Sequence, residues 1–74
     1  MKEGILVWDA AAGRPDIRYH DGTFYGGLHC GDTLEAFTRT GWQSTRIELR
    51  GGIDNWYLSG IENDEEILWL KVRN

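Results

Sequence analysis

Three short blocks at even spacing near the middle of the chain limit most what it can fold into. They are Gly31-Asp32-Thr33-Leu34-Glu35-Ala36-Phe37, Trp42-Gln43-Ser44-Thr45-Arg46-Ile47-Glu48-Leu49 and Trp56-Tyr57-Leu58. Each carries the branched and aromatic residues that suit a pleated, half-buried surface. Each is fenced by glycine-bearing turns. Turn signals recur about every ten residues, which is the cadence of a sandwich or barrel. No segment keeps a 3.6-residue period for longer than a turn or two, so long helices are excluded.

The rest of the chain repeats the pattern. Ile5 to Trp8 is an apolar run between Gly4 and Asp9 and reads as the first strand. Ala10-Ala11-Ala12-Gly13-Arg14-Pro15 reads as a loop, because Gly13 and Pro15 stop any helix the alanines start. Asp16 to His20 alternates as a second strand, and Asp21-Gly22 is a tight-turn dipeptide. Thr23-Phe24-Tyr25 continues the β signal until Gly26-Gly27 marks a bulge or bend. Asn63-Asp64-Glu65-Glu66 reads as a solvated acidic loop, and Ile67 to Arg73 as the last strand. The expectation is one domain over 1–74. It is all-β, a small, strongly bent antiparallel barrel of five to six strands, SH3-like.

Seventy-four residues support one domain at most. A chain this short buries only about 60% of its unfolded surface, so its core is marginal. Small scaffolds usually add a disulfide, a metal or a partner. The single Cys30 excludes an internal disulfide. Two histidines and one cysteine make a poor zinc set, so no metal or other cofactor is expected. Four tryptophans supply core area instead. The expectation is Trp56 inside and Trp69 outside.

The net charge of −4 and the lack of a basic block disfavour nucleic acid and anionic membrane as partners. No apolar run is long enough to span a bilayer. The apolar stretch near the N-terminus is too short for a signal peptide and lacks a small-residue cleavage site. With one free thiol, the expected location is the cytoplasm.

Alternation assigns the strand faces. In the fourth strand Thr45, Ile47 and Leu49 should point inward, and Arg46, Glu48 and Arg50 outward. In the last strand Leu68, Leu70 and Val72 should point inward, and Ile67, Trp69, Lys71 and Arg73 outward. The first strand is apolar on both faces, so it lies between layers or meets a partner. If the terminal strands adjoin, Ile5, Val7, Ile67 and Trp69 form an apolar patch. Glu3 and Asp9 flank it on one side, Lys71 and Arg73 on the other. A desolvated centre with a polar rim is the layout of an interface, and opposite charges on the two strands suit two-fold pairing.

Gly31, Asp32, Leu34 and Glu35, then Trp42, Thr45, Arg46, Ile47 and Glu48, then Trp56, Tyr57 and Leu58, then Leu70, Lys71, Val72 and Arg73 together resemble a family of small bacterial domains. It is catalogued as domain of unknown function 5348. The opening Gly4-Ile5-Leu6 also fits, and the Ala10 to Pro15 insert fits least. The resemblance implies a compact SH3-like barrel from bacteria such as Firmicutes, often encoded near mobile genetic elements. It brings no assigned activity and lends no catalytic residues.

Cys30 beside His29 invites a thiol–imidazole reading, but neighbours on an extended strand point to opposite faces. His20 could reach Cys30 across a hairpin instead. A lone cysteine without a signature context is far more often an inert thiol. His20, His29, Cys30 and Asp32 offer suitable metal ligands without a paired spacing. Asp64, Glu65 and Glu66 are a solvated run rather than carboxylates held apart in a cleft. The aromatic set is the stronger candidate, because rings on a barrel surface can stack bases or clamp a peptide. The leading expectation is a non-enzymatic protein-interaction module of a bacterial cytoplasm, accessory cargo of a mobile element. It binds a protein partner, or itself, through an aromatic and aliphatic face. The alternative is a nucleic-acid-binding barrel that adds a basic strip of Arg46, Arg50, Lys71 and Arg73.

Overall fold

The structure, a computed structural model, describes residues 1–50, 55–61 and 67–74. The turn expected at Gly51, Gly52 and Asp54 and the acidic run Asn63 to Glu66 lie outside the described residues. Six strands form one antiparallel sheet: β1 (Glu3–Asp9), β2 (Arg14–Tyr19), β3 (Thr33–Thr38), β4 (Gly41–Leu49), β5 (Trp56–Leu58) and β6 (Lys71–Arg73). Their order across the sheet is β2-β1-β6-β3-β4-β5. The all-β expectation and the strand number hold. The sheet is not closed into a full barrel, since β2 and β5 stand at opposite ends of that order.

Two hairpins provide the frame. β1 pairs with β2, with Leu6 opposite Ile17, and β3 pairs with β4, with Leu34 opposite Thr45. β6 is laid between them, with Val72 opposite both Gly4 and Ala36. The terminal strands are therefore neighbours, as the interface argument requires. Alternation puts Leu6, Ile17, Leu34, Ala36, Ile47, Leu58 and Val72 on one face, all buried. Leu28 and Ile67 complete this core from loops, and Trp56 packs half-buried against it.

The approach of β2 to β1 is close at one point. A Cβ on the buried Gly4 would run into the backbone carbonyl of Arg18 and the Cα of Tyr19. Only glycine lets the two chains lie so near.

Arg14 and Pro15, expected in a loop, open β2, and three further expectations change. Ile67 is buried in the core, where outward exposure was expected. Leu49, expected inside, is exposed at the end of β4. The last strand is also shorter than the expected Ile67–Arg73. The cause is a turn: Leu70 N–H donates to the Ile67 carbonyl at 3.3 Å, and Trp69 has φ 73°. Trp69 N–H donates to the Leu6 carbonyl at 2.7 Å, and Leu6 N–H donates to the Leu70 carbonyl at 3.0 Å. Two residues thus oppose one, the arrangement of a β-bulge. The extra residue breaks strict alternation, so Ile67 and Trp69 no longer share a face.

β2 and the segment after it are tied together by one carboxylate. Asp16 is 4% exposed. Its Oδ1 accepts hydrogen bonds from the backbone N–H groups of Ile17 (2.8 Å), Gly26 (3.0 Å) and Gly27 (2.9 Å). Gly26 and Gly27 have φ 112° and 96°, which lets successive N–H groups converge on it. The same segment lies along β2, with Tyr25 N–H donating to the Ile17 carbonyl and Leu28 N–H to that of Pro15.

Candidate functional site

The outward face of the central strands carries the densest set of recognition-type side chains. Register places Arg18 opposite Ile5, and Ile5 opposite Lys71. The β3–β6 pairing, continued by one step, sets Lys71 beside Phe37, and Phe37 lies opposite Trp42. A row of five side chains therefore crosses the sheet: Arg18, Ile5, Lys71, Phe37, Trp42. The next outward row is Glu3, Arg73, Glu35 and Ser44.

The aromatic and cationic members of these rows interlock. Phe37 and Trp42 meet edge to face at 5.2 Å, a favoured geometry for two rings. Lys71 Nζ lies 5.0 Å from the Phe37 ring centre and 5.7 Å from that of Trp42. The Arg73 guanidinium lies 4.2 Å from the Trp42 ring centre. The two cations beside the rings are also matched by carboxylates, Arg73 Nε to Glu35 Oε1 at 2.6 Å and Lys71 Nζ to Glu3 Oε1 at 3.8 Å, whereas Arg18 at the end of the row has no ion pair among the described residues. Around Phe37 and Trp42 the face is thus aromatic and polar with its charges paired.

Of the four residues expected to form the interface, Ile5 and Val7 are half-buried on this outward face, and Trp69 is 69% exposed. Ile67 leaves the patch for the core. Phe37, 48% exposed, takes its place in the apolar surface. The sequence carried a signal for it: with Leu34 and Ala36 inward, alternation turns Glu35 and Phe37 outward. Trp69 is the most exposed tryptophan, and its left-handed backbone is rare for a bulky residue. That conformation costs on the order of 1–2 kcal/mol.

The basic strip is spoken for along its length. Arg46 Nε pairs with Glu48 Oε2 at 3.1 Å, and the Arg50 guanidinium lies 4.4 Å from the Tyr57 ring centre. With Lys71 and Arg73 paired as above, all four cations have a partner in the chain.

The cysteine region has a different character. Cys30 is exposed. His29 turns toward Asp32, with its backbone N–H donating to Asp32 Oδ2 at 2.8 Å and its Nδ1 3.9 Å from the same oxygen. His20 is held at the opposite hairpin, where its N–H donates to the Glu3 carbonyl. Burial, and then the Asp32 carboxylate, push the Tyr25 hydroxyl above its ordinary pKa. Among the described residues no group of three or more His, Cys, Asp or Glu side chains could hold a metal ion.

The same architecture recurs in a known protein. The family model Domain of unknown function (DUF5348) matches residues 4–73. The crystal structure of a protein from Ruminococcus gnavus, a structural-genomics target, superposes with a TM-score of 0.84 at 41% sequence identity. The match covers 99% of this chain and 100% of that one. No curated protein matches the chain.

Proposed function

We propose that this chain, which belongs to the domain of unknown function 5348 family, is a non-enzymatic protein-interaction module. It binds a protein partner through the outward face of β1, β6, β3 and β4. The observation that carries this reading is the charge-balanced aromatic surface of Phe37, Trp42, Lys71 and Arg73, with Trp69 exposed at the bulge just before β6. Interface centres are enriched in aromatic residues and arginine and poor in unpaired charge. A bacterial setting fits the Ruminococcus gnavus neighbour. A cytoplasmic setting fits a chain in which, among the described residues, no helix is long and apolar enough to cross a membrane. The association with mobile elements rests on the family resemblance.

The experiment compares partner capture and self-association of the wild type with those of Trp69→Glu, Phe37→Glu and Trp69→Gly. The glutamate variants should lose the partner and keep the fold. Trp69→Gly tests this face in a second way. Glycine accepts φ near 73° without strain, although its own chain entropy offsets part of that gain. Its melting stability should stay within about 1 kcal/mol of wild type, while partner binding is lost. A destabilisation of more than about 2 kcal/mol would mean that the indole packs the fold rather than serving a partner.

Nucleic-acid affinity should be weak. Neutralised phosphates supply most of such binding, and the cations of the strip already face carboxylates or rings. Titration with single- and double-stranded oligonucleotides at moderate salt should show no sub-micromolar, salt-sensitive complex. Such a complex would make the nucleic-acid reading the better one.

A further inference from the structure

Cations cover four of the nine aromatic rings in this chain. Lys2 Nζ lies 4.5 Å from the Tyr19 ring centre, and Tyr57, Phe37 and Trp42 are covered by Arg50, Lys71 and Arg73. Trp8 and Phe24 are outside that set, as are Tyr25, Trp56 and Trp69; what sets the first two apart is that they share a groove. Both are exposed, and among the described residues neither has a cation over its face nor a ring partner. They line one groove, at the β1–β2 end of the sheet, together with Val7, Asp9, Ala10 and Asp16.

The groove contains two carboxylates and no basic side chain. Oδ1 of Asp9 accepts the N–H groups of Ala11 (3.0 Å) and Ala12 (3.2 Å). Oδ1 of the buried Asp16 takes the three N–H groups described above. Among the described residues the second oxygen of each accepts no hydrogen bond, and neither carboxylate is ion-paired. Arg14 and Arg18 flank Asp16 along β2 but do not line the groove.

We propose that this groove is a receptor for a basic side chain of a partner polypeptide. The charged head would sit between the Trp8 and Phe24 rings and the two carboxylates. Val7 and Ala10 would flank its methylene stem. Cation–ring attraction strengthens as the cation is desolvated, and an adjacent carboxylate adds to it. Long basic side chains lay their stems along apolar surface while the head keeps polar partners. The site adjoins the proposed partner face at Val7, while its rings and carboxylates are other residues than Phe37, Trp42 and Trp69.

The test is amide and indole chemical-shift mapping of the full chain with blocked Gly-Lys-Gly and Gly-Arg-Gly peptides. Blocked Gly-norleucine-Gly, which keeps the stem and lacks the charge, is the control. The basic peptides should shift Trp8, Asp9 and Phe24 in the millimolar range, and added salt should weaken the effect. Trp8→Leu, Phe24→Leu and Asp9→Asn should each weaken binding by about three- to thirty-fold, since each removes one favourable contact and leaves the fold intact. The Asp9→Asn variant retains the acceptor oxygen for the turn, so its loss of affinity reads the charge. Trp69→Glu should bind the peptides as wild type does, which separates this site from the sheet face. Absence of shifts, equal shifts with the norleucine peptide, or shifts mapping away from Trp8 and Phe24 would each overturn the proposal.

Discussion

Gly4→Ala should lower the melting temperature by roughly 12 °C or more. The added methyl meets the Arg18 carbonyl and the Tyr19 Cα, both backbone atoms of the paired strand. No rotamer change relieves such a clash, so β1 and β2 must separate. Overpacking a tight interior costs about 1–3 kcal/mol, and a backbone obstacle puts this position at the upper end. Each kcal/mol is worth roughly 4–8 °C in a domain of this size. Total stability for 74 residues is about 4–11 kcal/mol, so Gly4→Val should leave little folded protein. Thermal unfolding followed by circular dichroism measures both, with Ile5→Val as the mild neighbour. A fall of only a few degrees for Gly4→Ala would show that the strands can part cheaply here.

Asp16→Ala should cost about 2–5 kcal/mol. The side chain satisfies three backbone donors at once, and those of Ile17 and Gly27 are buried. Leaving a buried donor without an acceptor costs roughly 1–3 kcal/mol each. The loss falls on the joint between β2 and the segment that carries Phe24 and Leu28. Asp16→Asn keeps an acceptor oxygen but not its charge. Charge-assisted bonds are about twice as strong as neutral ones, so this variant should fall between wild type and alanine. Chemical denaturation ranks the three. Hydrogen exchange of the Gly26 and Gly27 amides should accelerate in the same order. Wild-type protection in Asp16→Ala would refute the bracing role.

Much of this architecture is legible in the residues alone. β3 runs from Thr33 to Thr38 as its composition and flanking turns indicate. β4 hides Thr45 and Ile47 by plain alternation. The strand count is legible too, because glycine-rich turns punctuate the chain. What escapes is the path from Ile67 to Leu70. A left-handed residue is announced by glycine or asparagine, and here it is tryptophan, so nothing in the local sequence marks the bulge. Counting in twos through that point sends Ile67 to the wrong side. Leu49 is missed for a different reason: a strand end can run past the core it starts in. Within the candidate surface, Ile5, Val7 and Trp69 are legible from periodicity, whereas Phe37 is passed over, as is Phe24 in the groove. The cation-free groove is invisible in the sequence, since it depends on which rings other residues happen to cover.

The position of β6 bears on how the chain is born. Each hairpin, β1–β2 and β3–β4, is local and can form early on the ribosome. Their only joint among the described strands is the three-residue β6, which comes last in the order of synthesis. The sheet stays in two halves until Val72 has left the exit tunnel and slid between Gly4 and Ala36. Closing contacts between the two ends of a chain is entropically slow. Until β6 is laid in, each half of the sheet leaves its share of the core open to water.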